Sequence, residues 1–421
     1  LAAAPRQRVC LGLRSGSPRP NSWAEVDGRV LRENLHLVRL QLGRARGGRG
    51  SEASPRIGAV LKANAYGHGA VLAGRVLASA HIDALFVSEV ETALELRSSP
   101  EVPASLPIIL LYRAPDEGVI CMLAAANVTS SVLSEDWVQQ AVHWPPCPAP
   151  VRLHIMVDTG LSREGLLPSE VAASAQAVLA KWPDWSLDGL YTHWCCPYDP
   201  AEMQKSKQVF DQSAELVAHL RGQRAGRGGD LPFVVHASSS SSVFLGADYD
   251  MLRIGGLLLG DPVVLADQTG ERFTMPGPHR TLLWKSHVMS LHRSRAGTRW
   301  GRCTASSGCL SAPLHAGGEL LATIPVGGEE FSHELILSAA FREKLPLLEK
   351  ASNTLVVHIP KESRTYKVAA LGMEVLLCEK SCVQGLFNVP VHVPRFLVND
   401  PSIETSDYCL AETLHEEVDP E

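Results

Sequence analysis

The stretch Ala59-Val60-Leu61-Lys62-Ala63-Asn64-Ala65-Tyr66-Gly67-His68-Gly69 joins an apolar run to a helical pattern through a single lysine. The run Ile57–Leu61 predicts a buried strand, and Lys62 stands at its carboxyl end. The Gly-His-Gly turn precedes a helical pattern, so the stretch predicts a βα unit. A lysine amine at the mouth of such a unit is placed to form a Schiff base with an aldehyde cofactor. Taken alone, the lysine is equally compatible with a surface residue that follows a strand.

Short apolar runs alternate with amphipathic stretches from about Ala24 to Val264. The predicted strands are Ile57–Leu61, Ala84–Ser88, Ile108–Tyr112, Val128–Val132, Val151–Val157, Leu187–His193, Phe233–His236 and a segment near Met251–Ile254. The predicted helices are Ala70–Ala80, Val90–Ser98, Ser134–Val142, Pro168–Ala180 and Ala201–Arg221. Buried strands that alternate with helices indicate parallel βαβ units, which predicts an α/β fold of the (β/α)8 TIM-barrel type. A doubly wound open sheet is the alternative, but no glycine-rich dinucleotide fingerprint follows the first strand.

The pattern changes after about Met275, where strand patterns follow one another without regular helices. These predicted strands are Thr281–Leu291, Glu319–Pro325, Thr354–Ile359, Thr365–Leu371 and Val389–Val398. We therefore expect a barrel domain over residues 23–274, a β-rich C-terminal domain over residues 275–400 and an acidic tail over residues 401–421.

Residues 1–22 form a basic segment with four arginines, several serines and alanines, and no acidic residue. This composition is compatible with a mitochondrial transit segment and equally with a disordered basic tail. The expected localisation is cytoplasmic, with the mitochondrion as the alternative.

The composition excludes several classes of protein. The 421 residues are 45% hydrophobic, which argues against wholesale disorder, and the net charge of −6 gives no reason to expect nucleic acid. The apolar runs are too short to span a bilayer, so neither membrane nor nucleic acid is an expected partner. The ten cysteines contain no C-x-x-C pair, so free thiols are expected and no metal site is predicted.

Side chains suited to chemistry follow four more of the predicted barrel strands. The segments are Asp158–Gly165 with Arg163, Tyr191–Trp194 with His193, Val235–Ser242 with five serines, and Tyr249–Gly256 with Arg253. In a barrel the carboxyl ends of the strands meet and form the active site. Each segment alone also has an ordinary structural explanation, such as a surface arginine, a satisfied core histidine, a flexible serine linker or a salt-bridged rim arginine.

A serine-rich turn that opens a helix suits an anion, because backbone N–H groups and the helix dipole favour phosphate there. Gly255 and Gly256 would let the backbone approach such a phosphate closely. These segments follow strands seven and eight, where barrels usually bind phosphate.

Together these motifs resemble the alanine racemase family, the barrel class of pyridoxal phosphate enzymes. The Lys62 stretch resembles that family's pyridoxal phosphate lysine motif almost letter for letter. Asp158–Gly165 resembles the family's Asp-Thr-Gly-Met-x-Arg-x-Gly, and Met251–Gly256 resembles its Met-x-Arg-x-Gly-Ile. The resemblance implies a pyridoxal 5'-phosphate cofactor, a small amino-acid substrate and a homodimer.

The resemblance also implies roles for single residues. Lys62 would hold the cofactor and exchange a proton on one face of the substrate, and Tyr66 would bind the cofactor. Arg163 would face the cofactor's phenolic oxygen and contact the substrate. Arg253 would face the pyridine nitrogen, with His193 against it.

Further roles carried over by resemblance concern the phosphate and the substrate carboxylate. Ser240 would supply the phosphate hydroxyl, with Ser239 in place of the family's asparagine, and Gly255 and Gly256 would approach the phosphate. Gly372-Met373-Glu374 resembles the family's Cys-Met-Asp, in which the methionine N–H receives the substrate carboxylate, so Met373 is expected to bind substrate.

The chain departs from the family at several positions. Ala296-Gly297-Thr298-Arg299-Trp300-Gly301 places Trp300 where the family has the tyrosine that serves as the second base, supplied by the partner subunit. An indole N–H cannot act as that base. Met156 stands where many members have a carbamylated lysine that props the arginine. Gly328 replaces a substrate-entry tyrosine, and Val391 aligns with a phosphate-contacting tyrosine.

Three functions are compatible with this pattern. The first is a pyridoxal phosphate-dependent alanine racemase that interconverts L- and D-alanine through a lysine Schiff base, with Lys62 and the Trp300 position as the catalytic pair. The second is a one-base enzyme acting on D-amino acids, and the third is a catalytically impaired homologue that binds the cofactor. Alanine is the family default, whereas serine, lysine and arginine racemases share the same lysine stretch.

Overall fold

The structure is a computed structural model. It describes residues 20–45, 55–224, 232–245, 249–261, 263–267, 269–274, 279–296, 303–304, 308–309, 317–327, 335–351, 353–378, 393 and 395–400. The basic segment up to residue 19, the acidic tail, Trp300, Gly328 and Val391 lie outside these residues. The described chain divides into two compact units, one of residues 30–279 and the other formed by its two ends.

Strand β1 (Ser22–Asp27) and helix α1 (Gly28–Ala45) come first. Eight parallel strands then close into a barrel. They are β2 (Arg56–Val60), β3 (Ala84–Val87), β4 (Ile108–Leu110), β5 (Val128–Val132), β6 (Val151–Met156), β7 (Trp185–Tyr191), β8 (Val234–Ala237) and β9 (Met251–Ile254). The predicted (β/α)8 fold is confirmed, and each strand lies within two residues of its predicted bounds.

The connections between barrel strands carry most of the helices. These are α2 (Lys62–Tyr66), α3 (Ala70–Ser79), α4 (Val90–Ser98), α5 (Glu117–Ala125), α6 (Glu135–Ala141), α7 (Val171–Ala180) and α8 (Pro200–Gly222). Side-chain caps fix where several begin, since Asp116, Ser134 and Asp199 each accept a hydrogen bond from a first-turn N–H.

Two glycines on barrel strands make room for large side chains in the interior. A Cβ on Gly58 would lie 2.1 Å from a ring carbon of Phe86, and one on Gly189 would lie 2.7 Å from His154 Nε2. Phe86 packs with Ala84, Ile109 and Met251 in the barrel core. The barrel is therefore filled by side chains, and ligands are left to its rim.

The barrel unit also contains the hairpin of β10 (Val264–Ala266) and β11 (Arg272–Thr274). The other unit holds a nine-stranded sheet in the order β13-β16-β19-β18-β17-β20-β12-β1-β21. Its later strands are β12 (Leu282–His287), β13 (Ser290–Arg293), β16 (Leu320–Ile324), β17 (Leu335–Ser338), β18 (Lys344–Lys350), β19 (Leu355–Ile359), β20 (Glu374–Cys378) and β21 (Arg395–Val398). A separate two-stranded sheet consists of β14 (Cys303–Thr304) and β15 (Gly308–Cys309).

The nine-stranded sheet differs from its prediction at several points, and no strand was predicted for β17, β18 or β20. Strand β1, placed by the sequence in the barrel domain, pairs instead with β12 and β21. The strand predicted over Thr365–Leu371 is wrong, because a 3-10 turn covers Arg364–Lys367. The Glu343 carboxylate accepts hydrogen bonds from the Thr365 N–H and hydroxyl, which fixes the turn.

The expectation of free thiols throughout is wrong for one pair. Cys121 of α5 and Cys147 form a disulfide, with their Cα atoms 5.1 Å apart. Cys195 and Cys196 are free thiols. Within the described residues, no group of side chains suited to a metal ion is found, and none of the helices is long and apolar enough to cross a membrane.

Candidate active site

Lys62 begins a turn of left-handed backbone that directly follows strand β2. Ala63, Asn64, Ala65 and Tyr66 have φ values of 51°, 55°, 52° and 52°. This conformation costs an L-residue roughly 1–2 kcal/mol. The turn is held from several sides: the Asn64 side chain accepts a hydrogen bond from the Ala70 N–H at 2.8 Å, and Glu89 accepts one from the Ala63 N–H at 3.3 Å. Strain maintained in this way is typical of functional sites.

The Lys62 side chain is exposed, and it makes no hydrogen bond or ion pair to the part of the chain that the structure describes. Its Nζ lies 5.9 Å from the centre of the Tyr66 ring. Burial and then the charge of nearby Asp261 raise the pKa of the Tyr66 hydroxyl above its usual value, so this group stays protonated. The turn therefore presents, beside a neutral phenol, an amine with no hydrogen-bond or ion-pair partner among the described residues.

Backbone N–H groups and hydroxyls meet beside this phenol. Ser240 Oγ accepts hydrogen bonds from the N–H groups of Gly255 and Leu257, at 3.2 and 3.3 Å. A Cβ on Gly255 would lie 2.7 Å from the Tyr66 hydroxyl oxygen, and one on Gly256 would lie 2.9 Å from Asp261 Oδ2. Glycine is therefore required at both positions, because the space beside each backbone is already taken by Tyr66 or by Asp261.

The serine run is ordered by its own hydroxyls. Ser239 Oγ hydrogen-bonds to the hydroxyls of Ser241 and Ser242, at 3.0 and 3.1 Å. Ser238 Oγ donates to the Ser242 carbonyl at 2.5 Å. Of these serines, Ser240 is the one whose hydroxyl reaches the glycine turn. We call Tyr66, Ser240, Gly255 and Gly256 the anion cradle.

Arg253 lies buried in the barrel, 4% exposed. It donates to the Thr192 carbonyl at 2.5 Å, to the His236 carbonyl at 3.2 Å and to His236 Nδ1 at 3.0 Å, and its guanidinium lies over the Tyr191 ring. Burial lowers the pKa of Arg253 to about 10, so the group keeps its charge at neutral pH. The resemblance placed His193 beside Arg253, whereas in the structure Arg253 forms its hydrogen bonds with His236 and Thr192.

A second histidine extends this contact. His236 Nε2 lies 2.9 Å from His154 Nδ1. Burial lowers the pKa of His154 to about 4 and that of His236 well below its usual value, so both rings are neutral. Because Arg253 can only donate, His236 accepts at Nδ1 and donates from Nε2 to His154.

His193 lies where the site's positive charges converge. Burial, followed by the charges of Arg253, Arg163 and Lys62, lowers its pKa to about 3. The side chain is therefore a neutral imidazole among cations. This concentration of positive charge favours an anionic ligand.

Arg163 is held by the residue that follows it. Its Nε and Nη2 donate to Glu164 Oε1 at 3.1 and 2.6 Å. The turn before it forms around Asp158, which accepts from the N–H groups of Gly160 and Ser162 at 2.9 and 3.1 Å. Met156, at the position of the family's lysine prop, is 2% exposed. Glu164 is therefore the acidic partner of this arginine.

Met373 lies in the other unit, in a tight turn. Its N–H donates to the Ala370 carbonyl at 3.2 Å, and its carbonyl accepts from the Val288 N–H at 2.8 Å. The N–H that the resemblance assigns to the substrate carboxylate is thus already hydrogen-bonded.

Sequence reasoning missed three residues of the site. His236 ends a strand like the other motif residues, so its position was a usable signal. Glu164 adjoins Arg163 in the quoted motif. Asp261 had no sequence signal, because only the fold buries it against Gly256 and brings its charge near enough to raise the pKa of Tyr66.

The closed parallel barrel, with a lysine after its first strand and the anion cradle after its last two strands, makes this chain a (β/α)8-barrel protein. A family model described as "Alanine racemase, N-terminal domain" matches residues 39–262. The alanine racemase of Symbiobacterium thermophilum is 30% identical over 317 residues, 73% of this chain and 73% of that protein. The chain therefore belongs to the alanine racemase family.

Solved structures share the fold over nearly the whole chain. The alanine racemase of Clostridium difficile 630 superposes with a TM-score of 0.69 at 21% identity, covering 91% of this chain and 97% of that one. A histidine racemase from Leuconostoc mesenteroides superposes with a TM-score of 0.68 at 18% identity, covering 91% and 99%. At these identities the likeness shows the fold alone.

Proposed function

We propose that this protein is a pyridoxal phosphate-dependent amino-acid racemase that interconverts L- and D-alanine and acts as a homodimer. The observation that carries the proposal is Lys62, an amine with no hydrogen-bond or ion-pair partner among the described residues, beside an anion cradle whose two glycines carry no side chain over their backbone. Membership of the alanine racemase family supports the reaction class.

The residues present fit pyridoxal phosphate. Lys62 offers the amine for its aldehyde, the hydroxyls of Ser240 and Tyr66 offer donors for its phosphate, and Arg253 offers a donor for its ring nitrogen. When bound, this group supplies an electron sink that acidifies the substrate's α-proton. Arg253 would donate a hydrogen bond without giving up its proton, because its pKa stays near 10.

The other residues position and exchange protons. With the cofactor bound, Lys62 would serve as the base for one face of the substrate's α-carbon. Neutral His193 adds no positive charge of its own among Lys62, Arg163 and Arg253. Arg163, oriented by Glu164, is suited to an anionic oxygen of cofactor or substrate.

Trp300 favours a second candidate function. A racemase needs a base on each face, and an indole N–H is a donor only. A one-base enzyme or a cofactor-binding homologue would need Lys62 and the anion cradle but no base opposite them.

Two measurements test the proposal. The purified protein should show the visible absorbance band of lysine-bound pyridoxal phosphate, and Lys62→Ala should lose it. Lys181→Ala is the control, because Lys181 stacks on Trp185 away from these motifs and its loss should leave the band intact.

Incubation with D- or L-alanine in deuterated water then separates the functions. A racemase gives α-deuterium and both enantiomers from either substrate. Label with retained configuration, or a keto product, indicates a one-base enzyme. Absence of label across alanine, serine, lysine, arginine and histidine would refute the racemase proposal and leave cofactor binding.

A further inference from the structure

Asp261 closes the turn that begins with the two glycines of the anion cradle. Its N–H donates to the Gly256 carbonyl at 2.9 Å, and its own carbonyl accepts from the Val263 N–H at 2.8 Å. This brings Asp261 Oδ2 within 2.9 Å of the place that a Gly256 Cβ would occupy. The carboxyl therefore lies directly against backbone that would approach a phosphate.

The carboxyl is buried and unsatisfied. Asp261 is 1% exposed, and within the described structure neither Oδ1 nor Oδ2 has a hydrogen-bond partner. A buried carboxylate without donors is costly, so such a group either is neutral or has a ligand as its partner. Both conditions are met at once if the carboxyl is protonated and donates a hydrogen bond to a ligand oxygen.

The groups around Asp261 favour the neutral form. Burial raises its pKa to about 7, and no described cation offsets this effect. Tyr66, from α2, is the described titratable group whose pKa responds to the charge of Asp261, and it is itself neutral. The facing serines and glycines of the cradle carry no charge. A proton on Asp261 is thus available in the physiological pH range.

We propose that Asp261 is a phosphate-binding residue of this site: its protonated carboxyl donates a hydrogen bond to the cofactor's phosphate, and loss of that proton weakens cofactor binding. A phosphate dianion would be repelled by an ionised carboxylate at this position and stabilised by a neutral donor. The inference rests on the proposed use of pyridoxal phosphate, and it makes retention of the cofactor sensitive to pH.

The test is the dissociation constant of pyridoxal phosphate, measured by absorbance titration of the cofactor-free full chain from pH 6 to pH 8.5. Between these limits wild-type affinity should fall about tenfold more than that of Asp261→Asn, which keeps a neutral donor at every pH. Asp136→Asn, at an exposed position of α6, should behave like wild type. Asp261→Ser, a smaller neutral donor, replaces Asp261→Asn if thermal unfolding shows that the latter does not fold.

Pyridoxal isolates the phosphate, because it has the same aldehyde and ring but no phosphate group. With pyridoxal, wild type and Asp261→Asn should share one pH dependence. If the two chains had equal slopes with pyridoxal phosphate, or differed equally with pyridoxal, the role of Asp261 would be refuted while cofactor binding stood. Failure of wild type to bind pyridoxal phosphate at any pH would instead refute the proposed function.

Discussion

Arg253, His236 and His154 form a buried chain whose hydrogen bonds can run in one direction only. The guanidinium donates, so His236 must accept at Nδ1 and donate onward to His154. Both rings stay neutral because burial opposes their charge. These hydrogen bonds hold Arg253 in one orientation without adding a second cation to the barrel interior.

This burial has a consequence for stability against pH. The ordinary histidine pKa of 6.5 falls to about 4 for His154, so the unfolded chain binds this proton before the folded chain does. Stability present above pH 6.5 should be lost as the pH falls toward 4, by about 3 kcal/mol from this group. Urea unfolding at a series of pH values measures the slope.

His154→Asn is the matched variant, because its amide oxygen keeps an acceptor near Nδ1 and takes up no proton in this range. Its free energy of unfolding should depend less on pH between 6.5 and 4 than that of wild type. Equal slopes for the two proteins would show that His154 is not the group that binds the proton on unfolding.

The left-handed turn after β2 shows how an element can be built against the preference of its residues. Two of its four left-handed residues, Ala63 and Ala65, are alanines, which gain nothing from this conformation. The cost is offset by the hydrogen bonds of Asn64 and Glu89 and by Gly67, which leaves the turn at φ 90°. The result is a short rigid link that places Lys62 and Tyr66 together.

Ala63→Gly should therefore stabilise the protein by about 0.5–1 kcal/mol, because relief of left-handed strain exceeds the extra entropy of the unfolded chain. Ala173→Gly is the control, since Ala173 is exposed like Ala63 but sits in the right-handed helix α7. There the same change should destabilise by about 1 kcal/mol. Denaturant unfolding of both variants measures the signs, and a destabilised Ala63→Gly would contradict the strain.

The barrel could be predicted from sequence because its signals are local. Each strand is a short apolar run between turn residues, and successive strands pair with one another. The β-rich character of the other unit could also be predicted, but its strand pairing could not, since Ala24 pairs with Trp284 on one side and Arg395 on the other. No local pattern encodes partners that far apart. The same limit applies to the site, because Asp261 becomes a candidate site residue only through its burial against Gly256 in the fold.

The site that the sequence predicts is divided between Lys62 and the Trp300 position. The resemblance to the family implies that the residue at the Trp300 position would serve the site of a partner chain. A homodimer would then hold two sites, each combining one chain's lysine with the other chain's tryptophan. Loss of the tyrosine would affect both sites equally and leave cofactor binding intact.

Subunit mixing tests this arrangement. The double variant Lys62→Ala with Trp300→Tyr has no lysine base, and wild type has no tyrosine base, so neither homodimer holds a complete pair. In the mixed dimer one site would combine the wild-type lysine with the introduced tyrosine. Alanine racemisation should exceed the sum of the two parents by about 10²-fold or more, the typical contribution of a positioned base. Mixing wild type with Lys62→Ala alone is the control and should give no gain. If Trp300→Tyr in an otherwise wild-type chain raised racemisation while the mixture did not, each site would be completed within a single chain.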